Sequence, residues 1–358
     1  MSNRPPLAAE EVIKAIKHGN PSRVPMMIKF WNWAGGNSDR DLAIQQIQQE
    51  YPEDFYAVPP RFPTHYDEVG SPNYIPGHSW LRTPPPPPET LTAHDANQGM
   101  PSWDMLDSML ANLPDPNCPQ LLEGMREKIQ QNAAGRYVLA YWWGCLYERV
   151  WSLRGMENLM CDFYEVPDKV HRLMDALTDF YVAAIHRTGR ELPGLVNGFF
   201  TSDDIGMQTG PMFSPAIFRE FFKPRYKRIF DAVHQYNMHF WLHTCGNVLP
   251  FIEDFIEIGL DVIHPIQKYT MDEREVAAKF GGRIAFWTGM DVQQILPRGT
   301  PEDVRREVRF MMDTFDTPRG GCLITAGNGV TEDNPVENLR AFFDEAYNYG
   351  LAHRQQFA

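Results

Sequence analysis

The feature that most constrains the fold of this chain is a regular alternation of short apolar runs with amphipathic segments. It begins near residue 119. Residues 194–200, for example, form an apolar run, whereas residues 166–187 have apolar side chains at helical spacing. Buried strands that alternate with amphipathic helices are typical of parallel βαβ units. We count about seven or eight repeats without a domain linker, which favours one (β/α)8 TIM barrel over two doubly wound domains. The prediction is a single domain over residues 1–358.

The N-terminal part departs from this regularity. Residues 7–18 have the spacing of a helix, and residues 23–33 are typical of a first strand. Residues 51–115 are rich in loop-forming residues and include five consecutive prolines at positions 84–88. Because such a run forms a stiff polyproline II segment, we expect an N-terminal Pro-rich extension that lies as a strap on the barrel surface.

Composition excludes several classes of partner. The chain has 33 Lys and Arg against 46 Asp and Glu, a net charge of −13, and is therefore not expected to bind nucleic acid or an anionic membrane. The densest apolar run, residues 138–147, is too short to span a bilayer, and the first residues have no hydrophobic signal core. Five scattered cysteines in such a chain indicate reduced thiols. We expect a soluble, cytoplasmic protein.

Two possible metal ligands follow the apolar run at residues 238–242. His243 and Cys245 are two residues apart, so on a strand both side chains point to the same face. Imidazole and thiolate are ligands that zinc prefers, and a catalytic zinc has three protein ligands and one open position. Cys322, at the start of a later apolar run, is the candidate third ligand. Core packing is the alternative for each, because free cysteine is among the most buried residue types.

Polar residues also end other predicted strands, at the edge where a barrel carries its active site. Asp203 and Asp204 end one strand, and an inward carboxylate there can orient a substrate, hold a ligand histidine or act as a base. Glu148 follows another strand, and His264 ends a short one. The structural alternatives are a helix-start or loop carboxylate for Asp203 and Asp204, an ion pair between Glu148 and Arg149, and a hydrogen-bonded core histidine for His264. Weaker candidates are Gln208, Gln267 and Asp291.

Aromatic residues are concentrated at positions 30–33 and 141–143, which include Trp31, Trp33, Trp142 and Trp143. They can line a pocket for a flat apolar molecule, with core packing as the alternative. The sequence contains no P-loop and no GxGxxG motif, so nothing in it indicates a nucleotide site.

The chain from Phe200 onward resembles the uroporphyrinogen decarboxylase-like superfamily. The resemblance rests on the stretch His-Thr-Cys-Gly-Asn at 243–247 and on the stretches at 202–208, 214–224, 258–265, 289–291 and 296–301, with looser agreement at 8–25 and 151–155. It covers most of the chain except the Pro-rich segment, and it implies a (β/α)8 barrel.

This superfamily contains two main chemistries. Its decarboxylases have an arginine-rich element after the first strand that grips substrate carboxylates. The corresponding residues 26–36 include no arginine here, so a porphyrinogen would lose those partners. The other branch consists of cobalamin-dependent methyltransferases. Members that act on coenzyme M bind zinc through His-x-Cys and a later Cys, and the matching positions here are His243, Cys245 and Cys322. The resemblance thus implies the third ligand that the residue pattern left open.

The resemblance further implies methyl transfer between a small donor or acceptor and a corrinoid. Zinc would deprotonate a bound thiol or act as a Lewis acid on a methyl ether, and the aromatic residues favour a methoxyaromatic donor, as in an O-demethylase. We expect cobalamin on a separate corrinoid protein, because the chain has no Asp-x-His-x-x-Gly motif. A homodimer is compatible with the sequence. The alternatives are a decarboxylase of the same fold and a non-catalytic barrel that binds a corrinoid or tetrapyrrole.

Overall fold

Seven strands form one parallel sheet in the computed structural model, which describes residues 4–31, 36–61 and 98–357. They follow their chain order across the sheet, and each pair of neighbours is parallel. The strands are β1 (Phe55–Val58), β2 (Tyr137–Trp142), β3 (Gly198–Ser202), β4 (His239–His243), β5 (Val262–His264), β6 (Ala285–Met290) and β7 (Cys322–Ala326).

Helices form most of the connections. The α-helices are α1 (Ala9–Ile16), α2 (Asp39–Glu50), α3 (Leu106–Ala111), α4 (Met125–Asn132), α5 (Tyr147–Arg154), α6 (Met156–Glu165), α7 (Pro167–Glu191), α8 (Pro215–Ile217), α9 (Lys223–His234), α10 (Leu249–Glu257), α11 (Glu273–Phe280), α12 (Ile295–Arg298), α13 (Pro301–Phe315) and α14 (Val336–Gln355). Short 3₁₀ turns occur at Lys29–Trp31, Trp103–Met105 and Pro119–Leu122, and a π-helical turn, Phe218–Phe222, joins α8 to α9.

An extended segment around Met26 takes the place of the expected first strand. Met26 forms a single parallel bridge with Ile324 of β7, where Met27 N donates to Ile324 O (3.0 Å) and Ile324 N donates to Pro25 O (2.9 Å). On the other side, Asp54 N, next to β1, donates to Met26 O at 3.1 Å. This segment is therefore hydrogen bonded to the edge strand β7 and to Asp54, the residue before the other edge strand. Where the sequence predicts eight strands, the described residues form seven strands and one bridged segment.

Local sequence signals account for the start of several helices. Thr300 and Asp303 form a capping box at α13, with Pro301 at its first position. Ser214 accepts a hydrogen bond from the backbone N–H of Ile217 at the start of α8. Both starts combine a Ser or Thr cap with a proline in the first turn, an order that is read directly from the sequence.

The register of the strands brings the polar residues to one edge. β3 and β4 are buried along their whole length, as expected for strands covered on both faces. His243 ends β4 and is in register with Ser202, which ends β3, and with His264, which ends β5. Side chains that follow these three strands therefore meet at the carboxyl edge of the sheet.

The loop-rich stretch at residues 51–115 contains two regular elements that the sequence analysis did not predict. Phe55–Val58 forms the edge strand β1, and Leu106–Ala111 forms α3. β1 is difficult to predict from the sequence because it has only four residues, of which two are buried, and because prolines at 52, 59 and 60 flank it. The five prolines at 84–88 lie outside the described residues. Within the described part of the chain, no helix is long and apolar enough to cross a membrane.

Candidate metal site

Three side chains with lone pairs converge at the carboxyl edge. Asp204 follows β3, His243 ends β4, and Cys245 lies two residues further on. One ligand-type atom from each lies within 4.8 Å of the other two. His243 Nε2 is 3.4 Å from Cys245 Sγ and 3.6 Å from Asp204 Oδ1. The predicted same-face arrangement of His243 and Cys245 is confirmed, and Asp204 joins them.

Two glycines allow the loops after β3 and β4 to touch. Gly246 has a φ of +83°, and a Cβ there would lie 2.3 Å from the carbonyl carbon of Gly206. A Cβ on Gly206 would in turn lie 2.6 Å from Cys245 O. Next to this contact, Cys245 N donates a hydrogen bond to Asp204 Oδ1 at 2.8 Å. The close backbone approach therefore holds the Asp204 carboxylate against the residue that carries the thiol.

His243 belongs to a hydrogen-bonded chain of two histidines. Its Nδ1 lies 2.6 Å from Nδ1 of His264, and Nε2 of His264 lies 3.0 Å from the carbonyl oxygen of Ala326 in β7. Burial lowers the pKa of His243, against the opposing charge of Asp204. Burial also lowers the pKa of His264 well below its usual value, and the neighbouring His243 adds to the effect. Both rings are therefore neutral near pH 7, each with one N–H and one lone pair.

Cys245 is a protonated thiol in these surroundings. Burial raises its pKa above the ordinary value for cysteine, and the charges of Asp204 and Glu148 raise it further. Asn328 Nδ2, from the loop after β7, lies 3.7 Å from the sulfur. A thiolate at this position would need a strong positive charge beside it, such as a bound metal ion.

Asp203, the other predicted carboxylate, is enclosed. Its side chain has no exposed surface, and its oxygens accept hydrogen bonds at 2.7–3.0 Å from the backbone N–H groups of residues 146–148 at the start of α5. The Tyr226 hydroxyl also donates to Asp203. Burial raises the pKa of Asp203 to about 6, although the bond from Tyr226 opposes the shift. Of the two adjacent carboxylates, Asp204 therefore faces the cluster, and Asp203 caps a helix.

Glu148 places a second carboxyl group beside the cluster. Ser202 Oγ donates to Glu148 Oε2 at 2.6 Å, and Asp204 N lies 3.4 Å from Oε1. Burial raises the pKa of Glu148 to about 8, and the carboxylates of Asp204 and Asp203 contribute to the increase. At neutral pH Glu148 is therefore a carboxylic acid with a proton to donate.

Cys322 is not brought to this edge. It begins β7, is 1% exposed, and its sulfur lies 3.7 Å from Thr288 Oγ1. Ala326, whose carbonyl contacts His264, ends the same strand about 13 Å away at the usual rise per residue. The three-residue cluster thus contains Asp204 and not Cys322, which was expected as the third ligand. Sequence reasoning also missed Asn328, although its position just after a predicted strand was a signal.

The tryptophans separate into two environments. Trp142 is buried and stacks on Tyr181 of α7, with 5.3 Å between ring centroids, as a core residue does. Trp31 and Trp143 contact each other at 5.5 Å, and Trp31 lies 5.2 Å from the ring of His243. Trp33 lies outside the described residues. Aromatic surface is therefore present next to the cluster, although most of it is packed.

A cleft opens beside Cys245, with walls from the end of β6 and from the loops after β5, β6 and β7. The described residues that line it include no aromatic side chain. Gln267, in its wall, accepts a hydrogen bond from Gly246 N at 2.6 Å. Asp291 accepts from the backbone N–H groups of residues 293–295 and so begins α12. Gln208 is exposed. Two of the weaker candidates thus have structural partners.

The fold and the cluster define a parallel α/β protein with a candidate metal site at the carboxyl edge of its sheet. Residues 149–349, more than half of the chain, match the family model described as uroporphyrinogen decarboxylase (URO-D). The chain belongs to this family.

Relatives within the family include methyltransferases. A methylated-thiol–coenzyme M methyltransferase from Methanosarcina mazei is 27% identical over 196 residues, which cover 53% of this chain and 47% of the relative. A methylcobamide:CoM methyltransferase of the same organism is 24% identical over 185 residues, or 51% of this chain and 50% of the relative. The chain spans about half the length of these relatives.

A solved methyltransferase structure from Methanosarcina mazei has the same fold. It superposes with a TM-score of 0.63 at 16% identity and covers 94% of this chain and 97% of that chain. At this identity the similarity establishes the fold and leaves the chemistry to the residues of the site.

Proposed function

We propose that this protein is a methyltransferase that moves a methyl group between a small donor and a corrinoid, with zinc held by Asp204, His243 and Cys245. The observation that carries the proposal is the convergence of three lone-pair donors at the carboxyl edge. Among the described residues, Asp204 and Glu148 form no ion pair with a lysine or arginine. A site of this composition is completed by a cation.

The spacing of the donor atoms fits a tetrahedral metal. With metal–ligand bonds of about 2.0–2.3 Å, neighbouring ligands of a tetrahedral zinc are separated by about 3.3–3.8 Å. The distances from His243 Nε2 to Cys245 Sγ and to Asp204 Oδ1 are 3.4 and 3.6 Å. Three protein ligands leave the fourth position for substrate, which would enter through the cleft beside Cys245.

Each residue has a defined task in the proposed reaction. A zinc ion would supply Lewis acidity toward the atom that carries the methyl group and would favour the thiolate form of Cys245. His243 binds through an imidazole that burial keeps neutral. Glu148 donates its proton to the oxygen that loses the methyl group. Asp203 holds the start of α5, and therefore Glu148, in place.

For the donor we propose a methoxyaromatic compound, which would make the protein an O-demethylase component. Support comes from Trp31 beside His243 and from the partly exposed Trp143. The ring of the donor would lie on this side of the cluster, and its polar substituents would lie toward the amide-lined cleft. Screening methoxyaromatics against methylamines, methanol and thiols as donors tests this choice directly.

The corrinoid would arrive on a separate protein. The loops that border the cluster expose two large apolar side chains, Met207 at 45% and Tyr269 at 63%. Asn247 ties both loops to the cluster, since its N–H donates to Met207 O and its Nδ2 donates to Thr270 O. An exposed apolar rim around a site is suited to a docking partner.

Metal analysis with two cysteine variants tests the ligand set. Wild-type protein should bind one zinc per chain, and its Co2+ form should have the charge-transfer absorption of a single thiolate ligand. Cys245→Ser should lose this absorption. Cys322→Ser is the matched control and should keep both the stoichiometry and the spectrum.

Activity is then measured as methyl transfer from each candidate donor to Co(I) cobalamin, followed by absorbance. Binding of the corrinoid without methyl transfer from any donor would favour a non-catalytic delivery role. A chain that binds no zinc after reconstitution would exclude the proposed site, and loss of the thiolate absorption in Cys322→Ser would contradict the proposed ligand set by placing Cys322 among the ligands.

The family name makes decarboxylation the second candidate. Residues 26–36 contain no arginine, and the one lysine there, Lys29, is directed to the carbonyl oxygen of Tyr51 at 2.8 Å. The described part of this stretch thus offers no free cation for the carboxylates of a tetrapyrrole. Release of carbon dioxide from uroporphyrinogen by the metal-free protein would favour decarboxylation.

A further inference from the structure

His264 lies behind the proposed ligands and determines what His243 presents to them. We propose that His264 is a positioning residue that fixes the tautomer of His243, so that the lone pair of His243 Nε2 faces Cys245 and Asp204. The importance of this tautomer for metal binding rests on the function proposed above, whereas the tautomer itself exists in the metal-free protein.

The direction of the hydrogen bonds follows from their last acceptor. The carbonyl oxygen of Ala326 can only accept, so the Nε2 of His264 that lies 3.0 Å away carries a hydrogen. A neutral His264 then has its lone pair on Nδ1. The two Nδ1 atoms are 2.6 Å apart and share a single proton, which must therefore belong to His243. The remaining nitrogen of His243, Nε2, is left with its lone pair.

The surroundings of His264 keep its ring neutral and in place. It has no exposed surface and lies between Trp31, at 5.0 Å and 15° between ring planes, and Trp287, at 4.6 Å. A cationic ring would donate from both nitrogens and reverse the chain. Within the described residues, however, the polar partners of the His264 ring are a carbonyl oxygen and His243, and none is a carboxylate. The ring cannot turn over without breaking both hydrogen bonds.

His239, at the other end of the same strand, provides a matched comparison. It is also a buried histidine, and its Nδ1 lies 3.1 Å from the hydroxyl of Tyr137. It has no hydrogen bond to the cluster. A substitution of His239 therefore disturbs a buried histidine of β4 without interrupting the chain from Ala326 to His243.

NMR of the metal-free protein tests the tautomer directly. Two-bond 1H–15N correlations of protein with 15N-labelled histidine, assigned with a His243→Asn variant, should give a protonated Nδ1 and an unprotonated Nε2 for His243. His264→Phe should yield a mixture of tautomers. His264→Asn, whose amide oxygen can accept near the place of Nδ1, should keep the wild-type pattern, as should His239→Gln.

Zinc affinity gives the second measurement. In competition with a chelator, His264→Phe should raise the Kd for zinc about 10- to 100-fold, and His264→Asn should recover most of the loss. A wild-type His243 protonated at Nε2 would overturn the inference even if no variant folds, and so would a folded His264→Phe with unchanged tautomer and Kd. Wild-type protein with the expected tautomer but no zinc binding would instead reject the proposed function alone.

Discussion

Charged side chains at the amino edge of the parallel sheet have different partners from those at its carboxyl edge. At the amino edge, Arg23 and Asp54 form an ion pair at 2.8 Å with 4% and 0% side-chain exposure, and Asp54 also accepts from the backbone N–H groups of Leu7 and Met26. At the carboxyl edge, the half-exposed Asp204 and the protonated Glu148 lie beside Cys245, and no lysine or arginine among the described residues forms an ion pair with them. A buried partner thus balances the charge of Asp54 at the amino edge, whereas solvent exposure and protonation limit the charge at the carboxyl edge.

Arg354 is a second buried charge of this kind near the amino edge. Its guanidinium, 1% exposed, binds Asp316 at 2.8 Å together with the carbonyl oxygens of Thr317 and Pro318. These bonds attach α14 to the turn before β7. Removal of one partner from such a buried pair leaves an uncompensated charge and destabilises the fold, whereas Asp204 and Glu148 are not members of an ion pair with a lysine or arginine among the described residues. Variants at the two edges should therefore fail in different ways.

The largest effect on stability is expected from Asp54→Ala. It leaves the Arg23 guanidinium buried without its partner and removes the acceptor of two backbone N–H groups. Loss of one member of a buried pair costs about 3–5 kcal/mol, so the free energy of unfolding measured with urea should fall by that amount. The double variant Arg23→Met/Asp54→Leu should recover part of the loss. An Asp54→Ala protein with wild-type stability but no bound zinc would contradict the division between the edges.

At the carboxyl edge, His243→Ala should abolish function and spare the fold. Loss of a ligand removes the metal and with it several kcal/mol of Lewis-acid stabilisation, so methyl transfer should fall about 10³-fold or more. His239→Ala, at the amino end of the same strand, should lower the melting temperature but retain zinc. Equal loss of zinc in both variants would mean that the metal depends on general integrity of β4.

The sequence alone predicts those features of the fold and the site that depend on a repeating pattern or on residues close together in the chain. The strand–helix alternation predicts the parallel sheet, and the two-residue spacing of His243 and Cys245 predicts their common face. β1 was missed because four residues between prolines form no periodic pattern, and their strand conformation depends on pairing with β2.

The third member of the cluster could not be selected from the sequence alone. Asp203 and Asp204 are adjacent, so the sequence does not show which carboxylate faces the cluster. In the structure Asp203 accepts hydrogen bonds from Tyr226 and from α5, whereas Asp204 accepts one from Cys245 N in the cluster. Cys322 matched by residue type, but it begins its strand and so lies at the amino edge of the sheet. Its position at the start of an apolar run was a signal against it that the sequence already contained.

A smaller effect, dependent on pH, is expected from Glu148→Gln. The folded-state pKa of about 8 lies above the ordinary value of 4.5, so between these values the folded protein holds a proton that the unfolded chain releases. Stability of the wild type therefore falls as the pH rises from about 4.5 to 8. Glutamine does not titrate, so the melting temperature of Glu148→Gln relative to wild type should rise over this interval and level off above pH 8.

Thermal melts of the metal-free proteins measure this difference. Glu157→Gln, on the exposed surface of α6, is the matched control for replacing a glutamate by glutamine. A difference for Glu148→Gln that stays constant from pH 4.5 to 8 would mean that Glu148 is ionised in the folded protein and cannot act as the proposed proton donor.

The smallest effect is expected from Cys322→Ser. This variant tests whether a cysteine at the amino edge contributes to the site at the carboxyl edge. The serine hydroxyl replaces a thiol that contacts Thr288 Oγ1 and the carbonyl oxygen of Leu323, so a hydrogen bond is within reach. The serine hydroxyl is more polar than the thiol, and burying it lowers the free energy of unfolding by about 1 kcal/mol. The free energy of unfolding should fall by about that amount while zinc content and methyl transfer remain at the wild-type level. Loss of zinc from this variant would place Cys322 among the ligands. Cys322 could reach the carboxyl edge only if β7 slid along the sheet, and the hydrogen bonds on both sides of Ile324 oppose such a shift.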